Sequence, residues 1–400
     1  MTKVEQTWPA DTFDAISIKV QRGKFVIQGT DGDQVKLEGD IAARYSKNLE
    51  LGPAERWLKI YTSWIYGETQ LTLQLPRSKI WTIDLFSGKA QFKAENIQAR
   101  MHLWLGSGEV QIENCRGAFS ITSGNADVKV KHFVETETPE IPPLPREERH
   151  IRMDDPESWG EWGEEWSQWG GEIGEKFLRG FFGQTAGQTP MNRVQTGKGD
   201  LILEDFDVQT CTVRTGKGDA KLKQGRAGNL DIKLMNGDIE CESCLPTGDW
   251  TIRSNRGDIR LALPSDTIAR LDLTTRHGDI QSKTPLVSVT RQGPESWHGN
   301  RMVGSIGAKI EGKIPQIRLS TLSGDIEIKT QPTSSRYYDK PVNENIPVSP
   351  PPPQPVVASV SPLASKPAVI YSTPLAVLTA LSEGKISIDE AERLLRGLKT

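Results

Sequence analysis

Residues 215–239 read TGKGDAKLKQGRAGNLDIKLMNGDI: a Gly-Asp pair, a run that alternates apolar and polar residues, and a second Gly-Asp pair. The tetrad recurs as KGDL (198–201), KGDA (217–220), NGDI (236–239), RGDI (256–259), HGDI (277–280) and SGDI (323–326). Its glycines, Gly199, Gly218, Gly237, Gly257 and Gly278, are 19, 19, 20 and 21 residues apart, and Gly324 follows after 46, roughly two periods plus an insertion. SGKA (87–90), SGEV (107–110) and SGNA (123–126) are looser copies in the first half.

The flanks keep register. Leu201 and Leu203, Ile239 and Cys241, Ile259 and Leu261, Ile326 and Ile328, and Val110 and Ile112 follow their glycines; Leu230 and Ile232, Trp250 and Ile252, Leu271 and Leu273, Ile317 and Leu319, and Trp81 and Ile83 precede theirs. Ile16, Ile18, Val20, Gly23, Phe25 and Ile27 bring the N-terminus into the same pattern. Period-two alternation means strands with one buried face, and the glycine lies where a turn needs positive φ. A unit of about 20 residues, two short strands and two turns, cannot bury its own apolar face, so units stack. The expected fold is mainly β, a right-handed parallel β-solenoid with consecutive repeats one above the next; parallel crossovers are right-handed in the great majority of cases. Strands at this spacing also suit an antiparallel sandwich, but the fixed register of the Gly-Asp pair favours the solenoid.

The 400 residues are 36% hydrophobic and 25% charged, with 37 glycines and 25 prolines, which excludes a disordered chain, a collagen and a disulfide-dense secreted module. A net charge of -3 gives no bulk attraction for nucleic acid. Four cysteines make no disulfide framework, the N-terminus lacks a signal-peptide core, and no stretch is long and apolar enough to span a bilayer. The expected location is cytoplasmic, with the inner membrane face as a peripheral alternative.

The solenoid is expected in two parts, 10–130 and 193–332. Between them, 131–192 opens proline-rich and acidic and then runs SWGEWGEEWSQWGGEIGEKFLRGFFG (158–183). Trp159, Trp162, Trp166, Trp169, Ile173 and Phe177 share one helical face, with glutamates on the rest. A proline-rich linker, 333–373, leads to a small helical hairpin, 374–400. There Leu375, Leu378 and Leu381 form one stripe, Gly384 ends it, Ser387 and Glu390 make a capping box, and Ala391, Leu394, Leu395 and Leu398 form a second stripe.

The turns TRHGDIQS and TLSGDIEI, the Leu-Pro ends of LTLQLP (71–76) and LALPSDT (261–267), and the Gly-rich GSIGAKIEGK (304–313) together resemble the bacterial putative-adhesin domain, a β-solenoid family of largely unknown function. The resemblance spans roughly 10–332 without the insert, and the tail resembles the short hairpin domain called SHOCT-like. It implies a scaffold or binding role, with some members linked to cell-envelope stress and no established active site. The tryptophan insert and the C-terminal position of the hairpin depart from the plain pattern.

Asp200, Asp219, Asp238, Asp258, Asp279 and Asp325 should stack in a column, either as a calcium ladder or, the favoured reading, as Asx-type turn residues bonding the local backbone, with Lys198, Lys217, Arg256 and His277 partly neutralising them. Arg256-Gly257-Asp258 spells an adhesion tripeptide but reads as one more turn. Cys241 and Cys244 could supply half of a zinc site, yet Cys241 falls on a core position. No nucleophile elbow, zinc-protease motif or phosphate loop occurs, and the histidines are scattered, so no catalytic, cofactor or metal residues are assigned. An envelope-stress-associated sensor peripheral to the inner membrane face is one alternative, and outward carboxylates leave a carbohydrate-active solenoid as another. The favoured function is a non-enzymatic scaffold that binds a protein partner or itself through Trp159, Trp162, Trp166, Trp169, Ile173 and Phe177 and through Leu394, Leu395 and Leu398. The acidic back of the tryptophan helix disfavours membrane association.

Overall fold

The computed structural model describes residues 2–41, 49–54, 56–62, 69–136, 192–292, 299–307 and 314–332. The expected helical insert and C-terminal hairpin, with Trp159, Trp162, Trp166, Trp169, Ile173, Phe177, Leu394, Leu395 and Leu398, lie outside them.

All strands of the described residues join one 21-stranded sheet, and its spine is parallel. Ile80–Glu95 pairs with Gln98–Glu113, which pairs with Arg116–Glu135, each time with partners 18 residues apart. The ladder continues across the interruption at 137–191: Val194 lies opposite Ile121, and Leu203 opposite Val130. Leu201–Lys217 then pairs with Ala220–Asn236, partners 19 residues apart. This parallel, solenoid-like stacking excludes the antiparallel sandwich.

The alternation read from the sequence becomes the core. Ile16, Ile18, Phe25, Ile27, Val110, Ile112, Leu201, Ile232, Ile252, Ile317 and Ile328 are all fully buried. Two tryptophans fill the interior with their indole N–H satisfied: Trp81 donates to the Pro76 carbonyl at 3.0 Å and Trp250 to the Ala227 carbonyl at 3.2 Å.

Three expectations need correction. The first concerns strand length. Ile80–Glu95 and Gln98–Glu113 run for 16 residues and Arg116–Glu135 for 20, bending through the small residues instead of breaking there. In the second half the strands do break at Gly-Asp, as at Gly218-Asp219 between Leu201–Lys217 and Ala220–Asn236.

The second concerns register. Gly108 of SGEV aligns with Ala90 and Ala126, whereas Gly88 of SGKA and Gly124 of SGNA align with Gly106, two residues earlier. That earlier column continues through Gly197 and Gly216. A Cβ on Gly106 would lie 2.4 Å from the Gly88 carbonyl oxygen and one on Gly216 would lie 2.5 Å from that of Gly197, so the close approach of successive coils demands glycine.

The third concerns order. Consecutive repeats do not simply stack at the two ends. Ala15–Thr30 lies between Trp57–Thr62 and Thr69–Pro76 on one side and Ile80–Glu95 on the other. The last repeat, Gln316–Ser323 with Ile326–Gln331, lies between Trp250–Arg256 with Ile259–Pro264 and Ala269–His277 with Ile280–Ser282. The chain thus steps over this inner slot between Gly257 and Gly278, and the 46 residues before Gly324 carry the antiparallel strands Val287–Gln292 and Asn300–Ile306 before returning to fill it.

Antiparallel strands then cover the end coils. Gln34–Ile41 pairs with Thr69–Pro76, Thr2–Pro9 with Gln34–Ile41, and Leu49–Ala54 with Trp57–Thr62. At the other end Asn300–Ile306 pairs with Ala269–His277, and Val287–Gln292 pairs with Asn300–Ile306. Reversing the strand direction ends the parallel ladder and leaves short edges, one device against edge-to-edge growth. Among the described residues no helix is long and apolar enough to cross a membrane.

Candidate interaction site

The aspartates form the expected column, with Asp127 added and the last two exchanged by the inserted repeat. The Asp200 backbone N–H donates to Asp127 Oδ1 at 3.0 Å, Asp219 N–H to Asp200 at 2.9 Å, Asp238 N–H to Asp219 at 2.9 Å and Asp258 N–H to Asp238 at 2.9 Å. Asp325 N–H then donates to Asp258 at 3.0 Å and Asp279 N–H to Asp325 at 2.8 Å. Each of these accepting carboxylates caps the next coil's backbone, not its own turn as the Asx reading expects. One oxygen of each is thus committed to a backbone amide, a structural role in joining successive coils. Asp258 of the Arg-Gly-Asp sequence also takes a bond from Arg260 at 3.1 Å, so its carboxylate is spent within the fold.

The Gly-Asp glycines need their residue type: Gly218 has φ +136° and Gly237 +147°, and a Cβ on Gly237 would lie 1.9 Å from the Gly218 carbonyl oxygen. A second bend escaped the sequence reading. Asn96, Asn114, His132, Asp205, Gln224 and Ser243 all have φ between 50° and 56°, one per coil. Each lies six residues past the turn column, at Ala90, Gly108, Ala126, Gly199, Gly218 and Gly237. Asn, Asp and His tolerate this left-handed geometry, but Gln and Ser, and the change of residue from coil to coil, disguise the column in the sequence.

Cys115, Cys211, Cys241 and Cys244 are free and buried. Burial pushes the thiols of Cys115, Cys211 and Cys244 up to about 12 and raises that of Cys241 as well. They are packing residues in protonated form, not thiolates suited to zinc or redox chemistry. Among the described residues no cluster of His, Cys, Asp and Glu could hold a metal.

A further set of chemistry-bearing residues lies on the outward side of the strand that precedes each turn column. Tyr61, Lys19, Phe86, Trp104 and Thr122 occupy one row across successive coils, with Ser17, Asp84, His102 and Ser120 in the next. Lys19 Nζ lies 4.6 Å from the Tyr61 ring centroid, and His102 stacks on Trp104 at 6.2 Å with planes 17° apart. Burial, with help from the nearby Arg100 charge, pushes the His102 imidazole down to about 4. Arg116 and Arg193 lie on the same side, and burial together with the neighbouring Arg214 charge lowers the Arg193 guanidinium. Sequence reading missed this surface because strand alternation marks its residues only as outward.

Residues 184–329 match the family profile described as Toastrack DUF4097, which carries the resemblance read from the Gly-Asp turns over that stretch. Curated proteins give no match. Solved structures similar to the chain include a putative adhesin from Bacteroides fragilis (10% identity, 82% of this chain and 97% of that one, TM-score 0.32). Others are a putative cell adhesion protein from Clostridium sporogenes (10%, 82% and 99%, TM-score 0.20) and a putative lipid binding protein from Parabacteroides distasonis (11%, 82% and 96%, TM-score 0.26). Likeness at that level places no residue's role.

Proposed function

We propose that the chain is a non-enzymatic interaction scaffold: a right-handed solenoid of about 20 residues per coil that binds a protein partner, or a second copy of itself, through parts that do not repeat. The observation that carries this is that the chemistry of the repeat's turns and core is spent within the fold. Its aspartates cap backbone amides and its cysteines are buried as thiols. Recognition then falls to the acidic tryptophan-rich stretch 158–183, with Trp159, Trp162, Trp166, Trp169, Ile173 and Phe177, and to the hairpin 374–400, with Leu394, Leu395 and Leu398. A tryptophan stripe with a glutamate back suits a protein groove better than anionic lipid. The domain division is that given from the sequence, and the working location is the cytoplasm, with the inner membrane face as alternative.

Light scattering on the intact chain and on one lacking 154–183 tests the self-binding form. A mass above the 44.3 kDa monomer that falls to the monomer on deletion supports it. Monomeric masses for both, together with an unchanged set of captured proteins, contradict the proposal.

A further inference from the structure

The outward surface described above is unevenly withdrawn from water. Ser17 is 1% exposed, Thr82 7% and Thr122 9%, although all three point away from the core. Farther along the stack the outward residues Arg214, Arg253 and Arg318 are exposed. The short side chains lie among larger neighbours, Ser17 Oγ being 3.3 Å from Tyr61 Oη, whereas the arginines reach past theirs. The surface of the first coils combines the aromatic rings of Phe86 and Trp104 with the charges of Arg100, Arg116 and Arg193.

The interruption begins and ends at this surface. Thr136 N–H donates to the Gly117 carbonyl at 3.2 Å, and Asn192 rejoins the next strand by accepting from Phe119 N–H at 3.3 Å. Asn192 Nδ2 donates to Glu135 at 2.8 Å, tying departure and return together. Everything in 137–191 is therefore tethered at the head of the strand that carries this face. The charge balance also fits: residues 154–182 hold eight acidic and two basic side chains.

We propose that the outward aromatic and arginine face of the coils between Ala15 and Lys198 is the docking surface for the chain's own residues 158–183. The tryptophan stripe lies against Phe86 and Trp104, and the glutamates meet Arg100, Arg116 and Arg193. A tethered segment needs little intrinsic affinity, because its effective concentration at the face is high. This rests on reading 158–183 as a recognition segment and adds where it resides. A partner that takes the segment must then compete with the face.

Hydroxyl-radical footprinting of the full chain tests this. The variants are a deletion of 158–183 and the double charge reversal R100E/R193E, each checked for native β circular dichroism. Oxidation of Phe86 and Trp104 should rise several-fold in both variants, and protection in the intact chain should be independent of protein concentration. Equal oxidation in all three proteins overturns the proposal. Protection lost on dilution also overturns it, because a second copy then supplies the segment. The double reversal keeps the test decisive if the deletion fails to fold. Footprinting reports only this docking, whereas captured partners report the broader scaffold reading, so either can fail alone.

Discussion

Replacing Asp238 separates the acceptor role of the aspartate column from its charge. Its Oδ1 accepts the Asp258 backbone N–H at 2.9 Å, and its own N–H donates to Asp219 at 2.9 Å. Asp238→Ala keeps the second bond and deletes the first, leaving the Asp258 amide without its acceptor. Such a loss costs about 1–3 kcal/mol. Asp238→Asn retains an oxygen acceptor at the same place. A neutral acceptor is weaker, but the change also removes a negative charge stacked between Asp219 and Asp258, so the net cost should stay below about 1 kcal/mol. Denaturant midpoints give the overall effect. Native-state hydrogen exchange at the Asp258 amide isolates the local one, and exchange should speed up about tenfold for each 1.4 kcal/mol lost. The reasoning fails if Asp238→Ala is neutral, or if Asn is as damaging as Ala. A rise in melting temperature with millimolar calcium would also refute it, since that requires the carboxylates to serve as metal ligands.

Gly237→Ala should cost more than about 2 kcal/mol by denaturation, because it adds both left-handed strain and a Cβ clash with the Gly218 carbonyl. Gln224→Gly should gain about 0.5–1 kcal/mol, because Gln224 sits at φ 51° and glycine removes the left-handed penalty. The four thiols should resist a thiol reagent in the native protein and all react after denaturation, since burial keeps them protonated. His102 is neutral in the fold down to about pH 4, whereas the unfolded imidazole takes up a proton near 6.5. The unfolded state thus binds more protons between those values. Stability should therefore fall as pH drops from 6.5 to about 4, by at most about 3 kcal/mol, and His102→Gln should flatten that slope in pH-dependent melts.

Much of the fold was legible because one period governs both burial and turns. Leu201, Leu203, Ile239 and Ile259 alternate as a buried face must, and Gly199 to Gly257 fix the register between coils. Asp127 stood in the column behind Ala126 instead of glycine, so its turn carried no visible tag. The exchange of the last two repeats was not legible either. Pairing partners are chosen by ladder complementarity along the whole edge, and HGDI and SGDI offer nearly the same edge. Only the long gap before Gly324 signalled that the chain goes elsewhere before returning. The face bearing Phe86, His102 and Trp104 escaped for a different reason. Outward aromatics one period apart look like isolated exceptions in sequence and become neighbours only when coils stack.

Quantitative capture from cell extract, with the intact chain and with chains lacking 158–183, 374–400 or both as bait, tests most directly whether recognition resides outside the repeat. The account predicts that the set retained by the intact chain shrinks with each deletion and reaches background with both, while the β circular dichroism persists. A doubly deleted chain that keeps its fold and captures the same proteins would contradict it.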